Sequence, residues 1–257
     1  MPEDEYLAQP SGDCCTKGTL HSGEARGALE RIADIETYVS RPSQGRANGH
    51  VLLYFPDVWG MWKNSHLIMD GFADAGYLTL GIDYFRGDPI WAHRKNGEDT
   101  DADFDFAAWR QKHWDFAQIA VPKWVAAVKA QYGEASTKYA AVGYCFGAPY
   151  VCDLLAAEDV TAGAFAHPSF LKESHFYQIK RPLFMSCAEI DSYFDQSSRR
   201  RALEILQEEK KKWHLQLFCN VEHGFAVRGD PEIPHIRWSK EQSHRSIVSW
   251  FDLWLSQ

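Results

Sequence analysis

The sequence contains no run approaching the ~20 consecutive apolar residues that a membrane-crossing helix needs. Cations are also scarce: 27 Lys and Arg stand against 35 Asp and Glu, a formal net charge of −8. Binding a phosphate backbone takes a concentrated cationic face, so no nucleic-acid partner is expected. Met1-Pro2-Glu3-Asp4-Glu5-Tyr6 is acidic, and the basic start and apolar core of a secretory signal are missing. These absences predict a soluble, cytoplasmic protein with no membrane partner.

Cys-x-x-Cys pairs and histidine pairs at zinc spacing are absent too, so no structural metal is expected. The six cysteines (Cys14, Cys15, Cys145, Cys152, Cys187 and Cys219) are even in number. Disulfide frameworks, however, belong to short secreted domains, and this chain has 257 residues. Cys152, Cys187 and Cys219 have apolar neighbours and read as small buried hydrophobes. With 45% hydrophobic and 24% charged residues the composition is globular, which excludes disordered, collagen-like and coiled-coil classes.

What is present is an alternation of short apolar runs with longer helical patterns. Residues 1–30 are rich in Gly, Ser and charge and predict an irregular leader lying over the surface. Residues 31–257 then read as one domain. Strands are expected at Ile35–Val39, His50–Phe55, Tyr77–Ile82, Tyr139–Val142, Ala162–Ala166, Leu183–Ala188 and Leu215–Cys219. Helices are expected between them, one closing at Gly76 and one over Phe104–Tyr132 broken into two pieces near Pro122. Two more are expected over Ser197–Lys211 and Lys240–Leu255. Residues 84–103 interrupt the rhythm as an insertion over one end of a sheet. Fully apolar strands alternating with helices predict an α/β fold, a mostly parallel central sheet with helices on both faces. Right-handed crossovers then bring the strand-to-helix loops to one edge, where ligands bind.

Three of those loops carry chemistry. Gly143-Tyr144-Cys145-Phe146-Gly147 lies between a strand and a helix, the setting of a nucleophile elbow. The turn is tight enough to strain the central residue, and flanking glycines remove side chains that would clash. Cys145 would then project above the sheet at a helix N-terminus, whose partial positive charge favours a thiolate and an oxyanion. Asp191 follows a strand 46 residues later, and His223 follows the next strand after a further 32. Nucleophile, acid, base is the order used on α/β-hydrolase sheets. In that arrangement His223 takes the thiol proton and Asp191 orients the imidazole. Glu189 and Asp195 compete for the acid position, where Asp191 would instead be a helix cap. His167 is the rival base, although it precedes the acid.

The Gly143–Gly147 elbow, Asp191 and His223-Gly224-Phe225-Ala226 together resemble the dienelactone hydrolase (carboxymethylenebutenolidase) family of α/β hydrolases. The resemblance spans roughly residues 30–255, and the Cys14-Cys15 leader is similar to that of fungal members, with no catalytic meaning attached. It implies that Asp57 stands where the family carries a glutamate engaging the resting cysteine, keeping the thiol protonated. It implies oxyanion-hole N–H groups from Val58 and Phe146, and a substrate carboxylate held by Arg86 and Arg228. Arg228 fits only with a one-residue shift, and a surface role is the equal alternative. Trp59, Tyr84, Phe85, Trp91 and Phe225 are aromatic candidates for the pocket mouth, or for packing.

The expected activity is hydrolysis of a small lactone or ester through Cys145, Asp191 and His223, without metal or organic cofactor, by a monomer or homodimer. The elbow suits an acyl or polyketide thioester of secondary metabolism equally well. A non-catalytic small-molecule binding protein on the same scaffold is a further reading. So is a redox sensor, for which Cys152 would be the second thiol.

Overall fold

The computed structural model describes residues 4–12, 15, 17–95, 99–100 and 103–257; Cys14 lies outside them. The chain opens with β1 (Tyr6–Ala8), β2 (Ala28–Ile32), β3 (Ile35–Ser40) and β4 (Val51–Phe55), followed by α1 (Lys63–Asp74) and β5 (Leu78–Ile82). A short hairpin, β6 (Arg94–Lys95) and β7 (Asp99–Thr100), precedes α2 (Phe106–Tyr132). Then come β8 (Tyr139–Tyr144), α3 (Ala148–Ala157), β9 (Ala162–Ala166), β10 (Leu171–Lys172) and α4 (Glu173–Gln178). β11 (Leu183–Ile190), α5 (Gln196–Glu208), β12 (Trp213–Glu222), α6 (Phe225–Arg228) and α7 (Pro234–Leu255) complete the chain.

Eight strands form one sheet in the order β12-β11-β9-β8-β4-β5-β3-β2. The six from β12 to β5 are mutually parallel, whereas β3 and β2 join antiparallel. Period-two alternation assigns the two faces. In β4, Val51, Leu53 and Phe55 pack with residues of α2, α3 and α5, while Leu52 and Tyr54 pack with residues of α1 and α7. All five are buried, as expected of a strand covered on both sides. No helix among the described residues is long and apolar enough to cross a membrane.

Two expectations need correction. Residues 1–30 are not uniformly irregular: β1 pairs antiparallel with β10, and β2 begins at Ala28 on the sheet edge. β2 is largely exposed, so it lacks the apolar alternation that would reveal it. The second correction concerns α2, which runs unbroken through Pro122. Pro122 lies on the exposed face, where water can hydrate the carbonyl its missing N–H leaves unpaired. Trp109, Val121, Trp124, Val125 and Val128 hold the opposite face in the core.

The elbow is set by backbone contact. Cys145 has φ 48°, a left-handed conformation that strains a residue with a side chain. A Cβ on Gly147 would collide with the carbonyl oxygen of Phe55 in β4, and one on Gly143 with the carbonyl of Gly147. Both obstacles are backbone and cannot rotate away. Gly147→Ala is therefore expected to cost about 1–3 kcal/mol or more, read as a lower urea midpoint. An unchanged midpoint would show that the turn has slack.

Candidate active site

β8, β9, β11 and β12 are parallel neighbours, so their C-terminal ends share one edge. Cys145 leaves β8 there, Asp191 directly follows β11 and His223 directly follows β12. His223 Nδ1 lies 2.9 Å from Asp191 Oδ2. The other carboxylate oxygen accepts the backbone N–H groups of Tyr193 (3.0 Å) and Phe194 (3.2 Å), which fixes the acid's orientation. Asp195, the rival acid, caps α5 through Ser198 N at 2.8 Å.

A ring nitrogen of His223 lies within 4.8 Å of Cys145 Sγ. Nε2 makes no hydrogen bond of acceptable geometry, yet the charges of ring and sulfur act strongly on each other. Catalytic contacts of this kind are commonly loose before substrate binds. Burial opposes a charged imidazole, but Asp191 and then Cys145 outweigh it and raise His223 to about 10. Burial likewise opposes a thiolate. Contact with the Cys15 thiol, then the charges of His223 and Arg228, nevertheless hold Cys145 well below the usual thiol range. The resting pair therefore leans towards thiolate and imidazolium. His167, the rival base, is buried with its ring 5.1 Å from that of His223, and neither of its nitrogens has a hydrogen-bond partner among the described residues.

The leader carries a contact that the sequence did not reveal. Cys145 Sγ is fully buried and lies 3.4 Å from Ser11 Oγ, 3.6 Å from Cys15 Sγ and 3.3 Å from Ser169 Oγ. Ser11 and Cys15 come down from above as a roof. Arg110 donates to the Ser11 carbonyl, and Trp59 Nε1 donates to Cys15 O at 3.2 Å. Thus Cys15 is the thiol brought beside Cys145, while Cys152 is buried on α3. No local sequence pattern signals an approach between residues 130 positions apart.

Asp57 and Arg228 also differ from their sequence expectation. Arg228 Nε sits 2.7 Å from Asp57 Oδ2, both side chains being almost wholly buried. Its Nη1 donates to the carbonyls of Cys15 (2.7 Å) and Lys17 (2.6 Å). Arg228 is thus an internal brace and not a surface arginine, and its side chain also borders the cavity beside His223. Asp57 accepts from Trp59 N at 3.0 Å and pairs with this brace, with no hydrogen bond to Cys145 among the described residues. Burial pushes its carboxyl up to about 6 against the pull of Arg228.

Val58 and Phe146 are both buried. Phe55 is in register with Gly143 across β4 and β8, and each of the two residues lies three positions beyond its member of that pair, so the loops carrying them emerge side by side. Arg86 is exposed, with φ 56° and its guanidinium 4.4 Å from the centre of the Phe116 ring. Trp59 is 3% exposed under the leader. Phe85 stacks on Trp109, Phe225 packs against Phe218 and His167, and Tyr84 donates to the Pro56 carbonyl. Apart from Phe225, which also borders a cavity, these rings serve packing. A cavity of 570 Å³ adjoins the base, bordered by Lys17, Thr19, Ser192, His223, Phe225 and Arg228.

Comparison with known proteins places the chain in a family. Residues 35–255 match the dienelactone hydrolase family, and the chain belongs to it. Dienlactone hydrolase 2 of Gibberella moniliformis is 42% identical over 255 residues, covering 99% of each chain. Dienlactone hydrolase 1 of the same fungus is 40% identical, covering 99% of this chain and 98% of its own. A dienelactone hydrolase-like promiscuous phosphotriesterase from metagenomic libraries superposes with a TM-score of 0.67 at 16% identity, over 89% of this chain and 98% of its own. The fold is that of an α/β hydrolase.

Two outcomes are expected. Asp191→Asn removes the carboxylate that favours the imidazolium, and hence the thiolate. The pH midpoint for alkylation of Cys145 by iodoacetamide should rise by about 1–3 pH units, followed by peptide mass spectrometry; an unmoved midpoint would remove Asp191 from the site. Arg228→Ala strands a buried carboxylate and should cost about 3–5 kcal/mol in urea unfolding. The Asp57→Ala, Arg228→Ala double variant should recover part of that loss, whereas strict additivity would mean the two groups are uncoupled.

Proposed function

We propose that this protein hydrolyses an ester or lactone of a small organic substrate, with Cys145 as nucleophile. One observation carries the proposal: a cysteine held at positive φ on a strand-to-helix turn, with His223 beside it and Asp191 behind the histidine. Membership of a hydrolase family supports the same reading.

Cys145 sulfur attacks the acyl carbon while His223 holds the thiol's proton. The carbonyl oxygen becomes an oxyanion, for which the backbone N–H groups of Val58 and Phe146 are the donors. Collapse breaks the bond to the leaving oxygen, which takes the proton from His223, and an acyl thioester remains on Cys145. His223 then deprotonates a water, and that water attacks the thioester. The second collapse expels the sulfur and gives the carboxylic acid and the alcohol, or one hydroxy acid where the substrate was a lactone. Asp191 keeps Nδ1 protonated so that Nε2 exchanges protons throughout. The cavity beside His223 lies within the size range of small-molecule sites and borders the base, while Cys145 itself lies under the leader.

Arg228 is engaged by Asp57, so a grip on the substrate by two arginines would require that pair to part. Arg86, exposed and lying over the Phe116 ring, is the arginine of the two left for a negatively charged group. The test is a panel of aryl esters, lactones and acyl thioesters given to wild type and Cys145→Ala. Turnover should vanish in the variant without loss of thermal stability, and intact mass should show an acyl adduct on wild type only. Undiminished hydrolysis by Cys145→Ala would sink the mechanism.

A further inference from the structure

Catalysis uses Cys145 and His223 but gives no task to Cys15. Yet Cys15 Sγ, Cys145 Sγ and a ring nitrogen of His223 all lie within 4.8 Å of one another, and all three side chains are buried. We infer that these three residues form a binding site for a thiophilic divalent cation such as Zn2+, whose occupation shuts the nucleophile off.

The spacing fits the ion. Two thiolates bound tetrahedrally at about 2.3 Å stand about 3.8 Å apart, and the two sulfurs here are 3.6 Å apart. The third ligand is prepared as well. With Nδ1 committed to Asp191, Nε2 is the nitrogen left for the metal, and it faces Cys145 without a hydrogen bond of good geometry. A carboxylate behind a ligating histidine is the arrangement that fixes its ring and raises its basicity. Charge balances too: two thiolates and a dication sum to zero in a site that excludes water. Two protons leave on binding, one from Cys15 and the one shared by Cys145 and His223.

Cys15 reaches the site on the leader, which Trp59 and Arg228 hold through its carbonyl. The nucleophile and the base would each spend a lone pair on the ion, so a loaded protein cannot attack an acyl carbon. That inhibitory consequence rests on the proposed hydrolase activity, whereas the binding site does not.

The full chain is titrated with ZnCl2 by calorimetry in buffers of different ionisation enthalpy, as wild type, Cys15→Ser and Cys15→Ala. In parallel, iodoacetamide labelling of wild type is mapped by peptide mass spectrometry. One Zn2+ per chain is expected, with about two protons released. Zn2+ should protect Cys15 and Cys145 together while exposed Cys219 labels unchanged. Losing a ligand costs more than losing an outer partner, so Cys15→Ser should bind about 100-fold more weakly or worse. Protection of Cys145 without Cys15 would overturn the site, as would equal affinity in Cys15→Ser; the labelling needs no variant to fold. An aryl-ester assay separates the two readings. A chain that binds Zn2+ through both thiols yet hydrolyses nothing leaves the site standing and removes the hydrolase, while one that turns over at full Zn2+ occupancy overturns the inhibition.

Discussion

Three segments far apart in sequence converge on the guanidinium of Arg228. It lies in α6, five residues after His223, and so belongs to the loop that carries the base. It pairs with Asp57, which starts the loop bearing Val58, and it ties down the leader through the carbonyls of Cys15 and Lys17. A buried ion pair is retained without penalty only when its remaining donors and acceptors are satisfied. Here the leader carbonyls and the Trp59 N–H do much of that. The positions of the roof, the Val58 loop and the His223 loop are therefore one structural decision, made at a single buried side chain.

That decision was only partly legible. The central strands could be read because unbroken apolar runs ended at turn residues, as in Val51–Phe55 before Pro56. The order of Cys145, Asp191 and His223 could be read because each follows such a strand. Arg228 was visible as an arginine close to the base, but its direction depends on Asp57, 171 positions earlier, and no periodicity encodes that. The leader was least legible. Its first strand has three residues, and other described parts rest on scattered polar contacts such as Asn64 Nδ2 to Thr19 O at 2.9 Å, which leave no hydrophobic pattern. Pro122 misled for a local reason: its rule concerns the isolated helix, and the packed face of α2 overrode it.

The roof changes what burial does to the nucleophile. Cys152 and Cys187 show the ordinary effect: burial pushes the first far up and the second to about 12. Cys145 is as fully buried and moves the other way. The difference lies in what surrounds the sulfur. The Cys15 thiol 3.6 Å away and the positive charges of His223 and Arg228 act on it, and the hydroxyls of Ser11 and Ser169 lie within 3.4 Å. Those dipoles replace the water that burial removes, and since they are held by the fold they need no reorganisation when charge moves onto or off the sulfur. Two of the three belong to the leader. The segment with the least recognisable sequence thus supplies much of the solvation on which a reactive thiolate depends. The same roof covers the sulfur completely, so an acyl carbon can reach Cys145 only if Ser11 and Cys15 yield some of their contacts to it. Activation of the sulfur and access to it are in this way opposed demands on a single stretch of chain.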